Sequence, residues 1–383
     1  MRVWIVIALL SLAVLGWGQP TTGGRMHRMG GQGRAIRLMR ELIYFQVFKN
    51  KERSTKVHPD RYRAMILYSF RNDGSATSVT MGFPESGGGT DFNADDFRQE
   101  SGLFHFHTWL DGRRVKAVRR IESLGEYCKA NWVTTVSFAR HQQRTVRVTY
   151  VATSYDCQNS KYNEQGVEYD FTGGHWKGVV GESDLRVSFH LPGTYIVEAD
   201  YPLTQQANTL FHRWKNWQAT EVGGFAYYPT RADGMVLRHA SDKTSYCFIS
   251  TRCKGTEPPD APAIIKTHGV MFISLPQLHD FFDSGTTAKT LPHAELNWDE
   301  HKRAATFIVA GHTLQVMVNN RTMRVDGHRD VILPARPFLN AGIDGTNWFK
   351  GCFIYIPLRP IVRVLGCKAK IDSIHRVVTL TYK

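Results

Sequence analysis

Residues 351–382 read GCFIYIPLRPIVRVLGCKAKIDSIHRVVTLTY, and this stretch predicts a compact unit of a strand, a short helix and two further strands. Alternating isoleucines predict a half-buried strand, which Pro357 ends because proline has no backbone donor. Apolar residues then recur at helical spacing up to Gly366, a residue that tolerates the left-handed conformation just past a helix end. The polar connection at residues 372–376 joins the last two strands as a hairpin.

The same order of elements occurs upstream, which indicates an internal repeat. Residues 269–276 parallel residues 351–357, and the residues that follow them occupy the helix position. Asp299 and Asp372 are each followed four residues later by an arginine and seven residues later by a threonine between apolar neighbours. Repeated units of this kind bury their apolar faces against one another. We therefore expect residues 263–383 to form one domain of antiparallel strands and short helices.

The repeat resembles the copper amine oxidase N-terminal-like domain of bacterial envelope proteins in its apolar strand, its PLR, its helix ending in LG and its final VTL. The resemblance implies a fold and an exported envelope protein. It implies no amine oxidation, because the quinone of those oxidases forms from a tyrosine that follows an asparagine, and the chain contains no Asn-Tyr pair. No cofactor is expected.

Residues 41–254 read as short alternating strands separated by turns. Residues 64–70 and 77–83 flank an Arg-Asn-Asp-Gly-Ser turn, and Asp111-Gly112 is a strong hairpin signal. Strands at this spacing predict an antiparallel β-sandwich. The strings YSFRNDGSATSVTMGFPE, WLDGRRV, RVTYVA and YDFTGGHWKG resemble uncharacterised exported bacterial β-domains, a resemblance that implies no chemistry.

The predicted fold class is therefore mainly β plus α+β, with an N-terminal antiparallel β-sandwich followed by a C-terminal antiparallel-sheet-and-short-helix repeat domain. Between the two, residues 255–262 form a Pro-rich linker that suits neither a helix nor a central strand. The stiffness of this linker predicts few contacts between the domains.

The first residues have the composition of a secretory signal. Arg2 precedes an apolar run that is shorter than the ~20 residues needed to span a bilayer, and small residues follow before Gln19. We expect residues 1–18 to be a signal peptide, with an uncleaved anchor as the alternative. The mature protein would be periplasmic, cell-surface or extracellular, with no transmembrane segment after signal removal.

A formal net charge of +14 points to an anionic partner. Residues 19–40 contain five arginines and no acid before Glu41, and predict a flexible basic arm. Outside the cytosol the expected partners are an anionic envelope polymer or another envelope protein, and no nucleic acid. Basic residues that merely keep an exported protein soluble are the alternative.

The last repeat carries the candidate binding residues. The helix pattern puts Arg359 and Arg363 on its polar side, and Lys368 and Lys370 lie on the strand that follows. We expect these four residues to form one basic face suited to an anionic envelope polymer.

The six cysteines suit an oxidising compartment. The sequence leaves many pairings open, and locality favours three disulfides: Cys128 with Cys157, Cys247 with Cys253, and Cys352 with Cys367. A zinc site is the competing interpretation, but the chain has no Cys-x-x-Cys spacing.

Two motifs resemble metal sites. His105 and His107 lie two residues apart on a predicted strand, so both imidazoles would share one face and could hold copper or zinc. Paired surface histidines without a metal are the alternative. The acidic stretch at residues 91–96 resembles the start of a calcium loop, but it lacks the glycine and the final glutamate that such a loop requires.

No motif supplies a catalytic constellation. Ser183 lacks the glycine of a nucleophile elbow, and Glu85 could pair with Asp91 only if the fold set a suitable separation. Tryptophans such as Trp176, Trp214 and Trp217 could stack on sugars or fill the core.

The sequence thus predicts an exported, non-catalytic cell-envelope protein that acts as a binding or structural module. The alternatives are a hydrolase of envelope polymers of unrecognised type and a copper- or zinc-handling protein. An enzyme would need convergent polar groups in one concave pocket, whereas a binding module needs only an exposed edge, groove or aromatic patch.

Overall fold

The computed structural model describes residues 19–30, 33–49, 60–88, 102–124, 127–157, 164–171, 176–191, 193–199, 201–217, 222–229, 234–239, 245–251, 264–283, 292–341, 352–373 and 376–382. Strands dominate, and the two described helices are short, so the predicted mainly β fold class is confirmed.

The strands that precede residue 263 are β1 Gln19–Gly24, β2 His27–Met29, β3 Ile36–Phe48, β4 Arg61–Asn72, β5 Thr77–Gly88, β6 Phe104–Leu110, β7 Arg113–Val115, β8 Val118–Leu124, β9 Tyr127–Phe138, β10 Gln143–Thr153, β11 Tyr155–Cys157, β12 Glu164–Asp170, β13 Val180–His190, β14 Gly193–Ala199, β15 Thr204–Gln206, β16 Thr209–Trp217, β17 Val222–Pro229, β18 Gly234–His239 and β19 Ser245–Thr251.

The remaining elements are β20 Ile264–Thr267, β21 Val270–Ser274, helix α1 Leu275–Asp283, β22 Ala294–Asp299, β23 Ala304–Val309, β24 His312–Met317, β25 Thr322–Val325, β26 Arg329–Ile332, β27 Phe338–Ala341, β28 Cys352–Pro357, helix α2 Leu358–Val364, β29 Lys368–Asp372 and β30 Val377–Thr381.

Two large sheets form the N-terminal sandwich. One has ten strands, with the path β19-β14-β17-β12-β1-β5-β9-β8, and the other has eight, in the order β15-β16-β13-β3-β4-β10-β6-β7. Period-2 alternation turns one face of each sheet inward. Aromatic rings meet between the sheets, with Phe45 6.3 Å from Tyr169 and Phe83 5.6 Å from Tyr150 by ring centroids. These contacts belong to one continuous apolar core.

The C-terminal unit combines a seven-stranded sheet, β27-β28-β21-β20-β18-β30-β29, with a five-stranded meander, β22-β23-β24-β25-β26. Its core draws on both sheets and both helices, and includes Ile356, Phe307 and Leu358, each at most 1% exposed. This core shares no residue with that of the sandwich among the described residues.

The structure also contains the internal repeat of strand, helix and hairpin. β21, α1, β22 and β23 occur in the same chain order as β28, α2, β29 and β30. The hairpin pairs Asp299 with Ala304 in one copy and Asp372 with Val377 in the other. Arg303 and Arg376 close these two turns with φ values of 49° and 57°, so the repeated Asp-to-Arg spacing marks a repeated turn geometry.

The predicted flexible arm at residues 19–40 is wrong. These residues contribute β1, β2 and the start of β3, and Arg25 is only 3% exposed. Its guanidinium donates to the Glu41 carboxylate, from Nη2 at 2.8 Å and from Nε at 3.1 Å. The buried carboxylate of Glu41, on β3, therefore orders a segment whose composition alone predicted exposure to solvent.

Strand β18 places part of the predicted sandwich segment in the C-terminal unit. It pairs with β20 on one side and, in parallel, with β30 on the other, while β17 and β19 belong to the ten-stranded sheet. The chain therefore passes between the two units three times from β17 to β20. The predicted Pro-rich linker at residues 255–262 lies outside the described residues.

Candidate functional site

A groove of about 610 Å³ lies between edge strand β26 and helix α2. Arg329, Val331 and Ile332 line one wall, and Arg359 and Arg363 line the other. The remaining lining residues are His312, Arg321, Leu333, Pro334, Pro360 and Val364.

A second groove of about 440 Å³ shares Pro334 and Arg359 with the first. It adds two more cationic side chains, Lys266 and Arg376, and the half-exposed Ile371. Arg359 thus stands at the junction of the two grooves.

The side chains that line these grooves carry charge of one sign. Among the described residues, six lysines and arginines line the two grooves and no aspartate or glutamate does. Arg329, Arg359 and Arg363 form no ion pair within the described part of the chain. Each guanidinium offers several N–H donors that are matched in geometry to a carboxylate, phosphate or sulfate.

The local sequence explains how α2 presents its arginines. Leu358, Ile361 and Val362 are buried, so Arg359 and Arg363, one turn apart, face outward. At the C-terminal end, the Gly366 and Cys367 N–H groups donate to the Arg363 and Val362 carbonyls at 3.3 and 2.9 Å. Gly366 has φ 66°, so this is a Schellman cap and it fixes where the helix ends.

On the opposite wall, two backbone carbonyls hold the Arg321 side chain. Its Nε donates to the Leu333 carbonyl at 3.0 Å and its Nη2 to the Pro334 carbonyl at 3.2 Å. His312 is engaged as well, with Nδ1 3.1 Å from Asp326 Oδ2. A hydrogen bond from the Thr313 N–H, together with the contact to His312, holds the pKa of the Asp326 carboxyl below its usual value. Arg321 and His312 thus shape the wall, while Arg329, Arg359 and Arg363 are without an ion pair in the part of the chain that the structure describes and can bind a ligand.

The predicted four-residue basic face divides into two. Arg359 and Arg363 line the grooves, whereas Lys368 and Lys370 do not. Strand alternation is the cause. Ile371 of β29 lines the second groove. Lys368 and Lys370 lie three and one positions before it on the same strand, so their side chains point to the opposite face of the sheet. All four side chains are exposed, but they do not converge.

The two histidines of β6 do not share a face by alternation. His105 has φ 54°, and the pairing of β6 with β10 shifts register between His107 and Phe104. A bulge of this kind interrupts the alternation on which the predicted imidazole pair depended, so that premise is wrong. His107 Nδ1 instead lies 2.7 Å from an Arg114 guanidinium nitrogen. In the described part of the chain, no group of three or more His, Cys, Asp and Glu side chains could hold a metal ion.

Cys367 is a free, buried cysteine, so the predicted bridge to Cys352 is absent from the structure. Its Sγ lies 3.8 Å from the Leu365 carbonyl oxygen, inside the C-terminal core. Burial raises the pKa of the Cys367 thiol to about 11. The side chains of Cys128, Cys157, Cys247, Cys253 and Cys352 lie outside the described residues, so the other two pairings remain predictions.

The candidate catalytic side chains have structural partners. Glu85 is fully buried and accepts from Trp132 Nε1 at 2.8 Å and from the Gly102 N–H at 2.8 Å. It also accepts from Nε and Nη2 of Arg119, at 3.1 and 3.2 Å. Its proposed partner Asp91 and the rest of the acidic stretch at residues 91–96 lie outside the described residues. Ser183 donates to Glu41 at 2.9 Å, so its hydroxyl belongs to the sandwich core.

That core contains a buried polar network which the sequence analysis missed. Glu41 accepts from Arg25, Ser183 and Tyr169, and the Tyr169 hydroxyl lies 2.7 Å from that of Tyr68. Burial and the nearby Glu41 charge raise the pKa of both tyrosines well above their usual range. These contacts join residues up to 142 positions apart, and no sequence pattern predicts such a network.

The three tryptophans also contribute to packing. Trp176 is 8% exposed and donates from Nε1 to the Met26 carbonyl at 2.8 Å. Trp214 and Trp217 stack on each other with ring centroids 4.6 Å apart, and Arg25 lies over Trp217 at 5.2 Å. Because these contacts already cover the tryptophan ring faces, the geometry favours a role in packing over stacking on sugars.

No helix in the described ranges has the length and apolar character needed to cross a membrane.

No protein-family model matches the sequence, and no curated protein does either. Among solved structures, a protein of Legionella pneumophila named as nutrient-binding matches at TM-score 0.44 and 12% identity, over 56% of this chain and 72% of its own. An M1 zinc metallopeptidase of Deinococcus radiodurans matches at TM-score 0.27 and 9% identity, over 59% and 50%. Native yeast LTA4 hydrolase matches at 0.28 and 9%, over 56% and 32%. This chain thus spans half or less of the two enzymes.

Proposed function

We propose that the chain is an exported, non-catalytic binding protein of the cell envelope that holds an anionic ligand in the grooves around Arg359. The observation that carries the proposal is a concave site lined by Arg329, Arg359 and Arg363, whose guanidiniums have no ion-pair partner among the described residues. A concave basic site concentrates field lines and attracts anions more strongly than the same charges do on a flat surface. Arg359 and Arg363 are two of the four binding residues that the sequence predicted, and the other two, Lys368 and Lys370, line neither groove.

The experiment compares two triple variants that lose the same charge. Arg329, Arg359 and Arg363 are replaced by serine in one, and Arg63, Lys368 and Lys370 in the other. The three control cations are exposed and form no ion pair in the described ranges, but none lines a groove. The probes are heparin and polygalacturonate, which are sulfated and carboxylated polyanions, and binding is followed by titration calorimetry.

The groove triple is expected to weaken polyanion binding at least about tenfold, since each lost charge-assisted contact is worth ~1 kcal/mol at an exposed site. The control triple should weaken it only slightly, and raised salt should reduce the difference between the two. Equal losses in both triples would mean that binding reports net charge and not this site. Shortened polymer products after incubation would instead favour a hydrolase.

Export is part of the same proposal and rests on the composition of residues 1–18. Cleavage after Gly18 would leave Gln19, the first residue of β1, in place. Mass spectrometry of protein recovered from the envelope should find a mature N-terminus near Gln19. An intact Met1 on cytosolic protein would contradict export.

A further inference from the structure

Among the described strands, β26 forms an edge of its sheet, and this edge is one wall of the groove. β26 is the last strand of the five-stranded sheet, and in the described ranges it pairs with β25 alone. Just beyond it, the Leu333 N–H donates to the Arg321 carbonyl at 2.7 Å, toward the β25 side. Backbone groups alternate in direction along an antiparallel strand, so the N–H and C=O groups of Asp330 and Ile332 point away from β25.

This edge also carries an unusual apolar residue. Ile332 is 68% exposed, the highest value among the exposed large apolar side chains of the described residues, and it lines the groove. Proteins usually protect an edge strand with charge, proline or a bulge, because free backbone groups beside apolar side chains invite another strand. Val331, Pro360 and Val364 extend the apolar surface along the same groove.

Both walls of the groove supply positive charge. Arg359 and Arg363 project from α2, and Arg329 lies at the start of β26. A strand added beside β26 would turn alternate side chains toward these arginines. Charge complementarity therefore selects a segment with acidic residues at every second position and apolar ones between them.

We propose that the ligand of this groove is an extended acidic peptide segment of a partner protein, which adds to β26 as a sixth strand. The inference rests on the proposed function and narrows its ligand class. A polysaccharide or polyphosphate could neutralise the arginines but has no regular backbone amides to pair with the outward N–H and C=O groups of Asp330 and Ile332. The peptide backbone supplies affinity, and its carboxylates and apolar side chains supply selectivity.

The test uses a labelled peptide of about eight residues that alternates glutamate and valine, which spans ~26 Å when extended. Two analogues carry N-methyl groups at the odd or at the even positions. Both analogues keep the charge and the side chains of the parent and carry the same number of added methyl groups, but each loses the backbone donors on one side of the strand. Affinities are measured by fluorescence anisotropy, with heparin as the polyanion that has no peptide backbone.

The parent peptide should bind, and one N-methylated analogue should bind at least about tenfold more weakly than the other, because only one side of an added strand faces β26. Equal affinity of both analogues and the parent would overturn the added strand. If heparin then still depends on Arg329, Arg359 and Arg363, the proposed function stands without this inference. Failure of both heparin and peptide to bind would overturn the two together.

Two substitutions at Ile332 test the edge from the protein side. Ile332→Pro removes an N–H that points away from β25, a position where an edge strand tolerates proline. Ile332→Thr keeps that N–H and removes apolar surface. The proline variant should lose peptide binding but keep heparin binding, while the threonine variant should lose less than the proline variant. Equal loss in both would assign the effect to the isoleucine side chain and contradict the backbone pairing, and thermal melting checks that each variant folds.

Discussion

Individual side chains in this protein are held by partners distant in sequence, and this decides which of them can react. Glu85, Ser183 and Arg25 would each suggest chemistry in isolation, but each is hydrogen-bonded within the sandwich. The groove arginines Arg359 and Arg363 are the reverse case, since they are exposed and unpaired within the described ranges. Availability of a side chain, more than its type, separates the candidate site from the scaffold.

Cys367 gives a direct test at this scale. Its thiol is 9% exposed and its pKa is raised to about 11, so at pH 8 it is both protonated and shielded. Iodoacetamide should therefore leave Cys367 unmodified in the folded protein and modify it rapidly in urea without reductant. Peptide mapping of the two samples checks this, with the Cys352→Ser variant as the control.

A Cys367 that stays unmodified in urea until reductant is added, and becomes reactive in the Cys352→Ser variant, would contradict the free thiol. That result would restore the predicted disulfide between the two residues.

Asp184 predicts a dependence of stability on pH. Burial alone would raise the pKa of this carboxyl, but hydrogen bonds from Arg213 and Arg40 hold it below its usual value. A folded pKa below the unfolded one gives stability that is present above about pH 4 and is lost as the pH falls through the folded pKa. Asp184→Asn should lower the free energy of unfolding by ~1 kcal/mol at pH 7, because both arginines are half exposed and partly screened.

Urea unfolding of the wild type and of Asp184→Asn at pH 7 and at about pH 2.5 measures this effect. The difference should be clear at neutral pH and should become smaller as the pH falls through the lowered pKa of Asp184. Asp330→Asn is the control, since its side chain is 54% exposed and its contact with Arg324 is 3.5 Å long. A difference that persists unchanged in acid would assign the effect to packing and not to ionisation.

At the scale of elements, the sequence predicted what is locally encoded. The helix α2 and the hairpin from β29 to β30 follow from spacing, proline and Gly366 over some thirty residues. Other contacts join segments that are distant in sequence. Val236 of β18 pairs with Val377, and Arg25, which directly follows β1, contacts Phe171. Local sequence patterns therefore could not place β18 or β1. The same limit explains the site, because the α2 arginines were predicted whereas Arg329 comes from another strand.

Strand β18 leads to a prediction about fragments. It lies between β20 and β30, and Met235 is buried in the C-terminal core. A fragment of residues 263–383 lacks this strand, which leaves β20 and β30 with exposed edges and splits the seven-stranded sheet. We expect this fragment to unfold without cooperativity, whereas residues 232–383 should unfold cooperatively. Urea titrations followed by near-ultraviolet circular dichroism compare the two.

Residues 19–254 provide the complementary control, because they keep β19 in its place beside β14. This fragment should fold as a sandwich. Cooperative unfolding of residues 263–383 with the same midpoint as the longer fragment would show that β18 is dispensable.

At the scale of the whole molecule, two separate cores are linked by a chain that passes between them three times. The sandwich core and the C-terminal core share no residue in the described ranges. Each core is large enough to unfold as its own cooperative unit. The groove is built only from the C-terminal unit, so a ligand there should act on one core alone.

Thermal unfolding tests whether the two cores unfold independently. Hydrogen exchange monitors the unfolding, because it reports on each unit separately. Phe307→Ala and Phe70→Ala each remove a side chain with no exposed surface from a different core, at a cost of about 3–5 kcal/mol each. Each variant should lower the unfolding midpoint of its own unit and leave that of the other nearly unchanged.

Heparin at about 100 times its dissociation constant should stabilise only the C-terminal unit, by ~2.7 kcal/mol, because a ligand raises the stability of the folded unit that binds it. A ligand that shifts both midpoints equally would mean that the two cores unfold together, and one that shifts only the sandwich would place the anion site outside the groove.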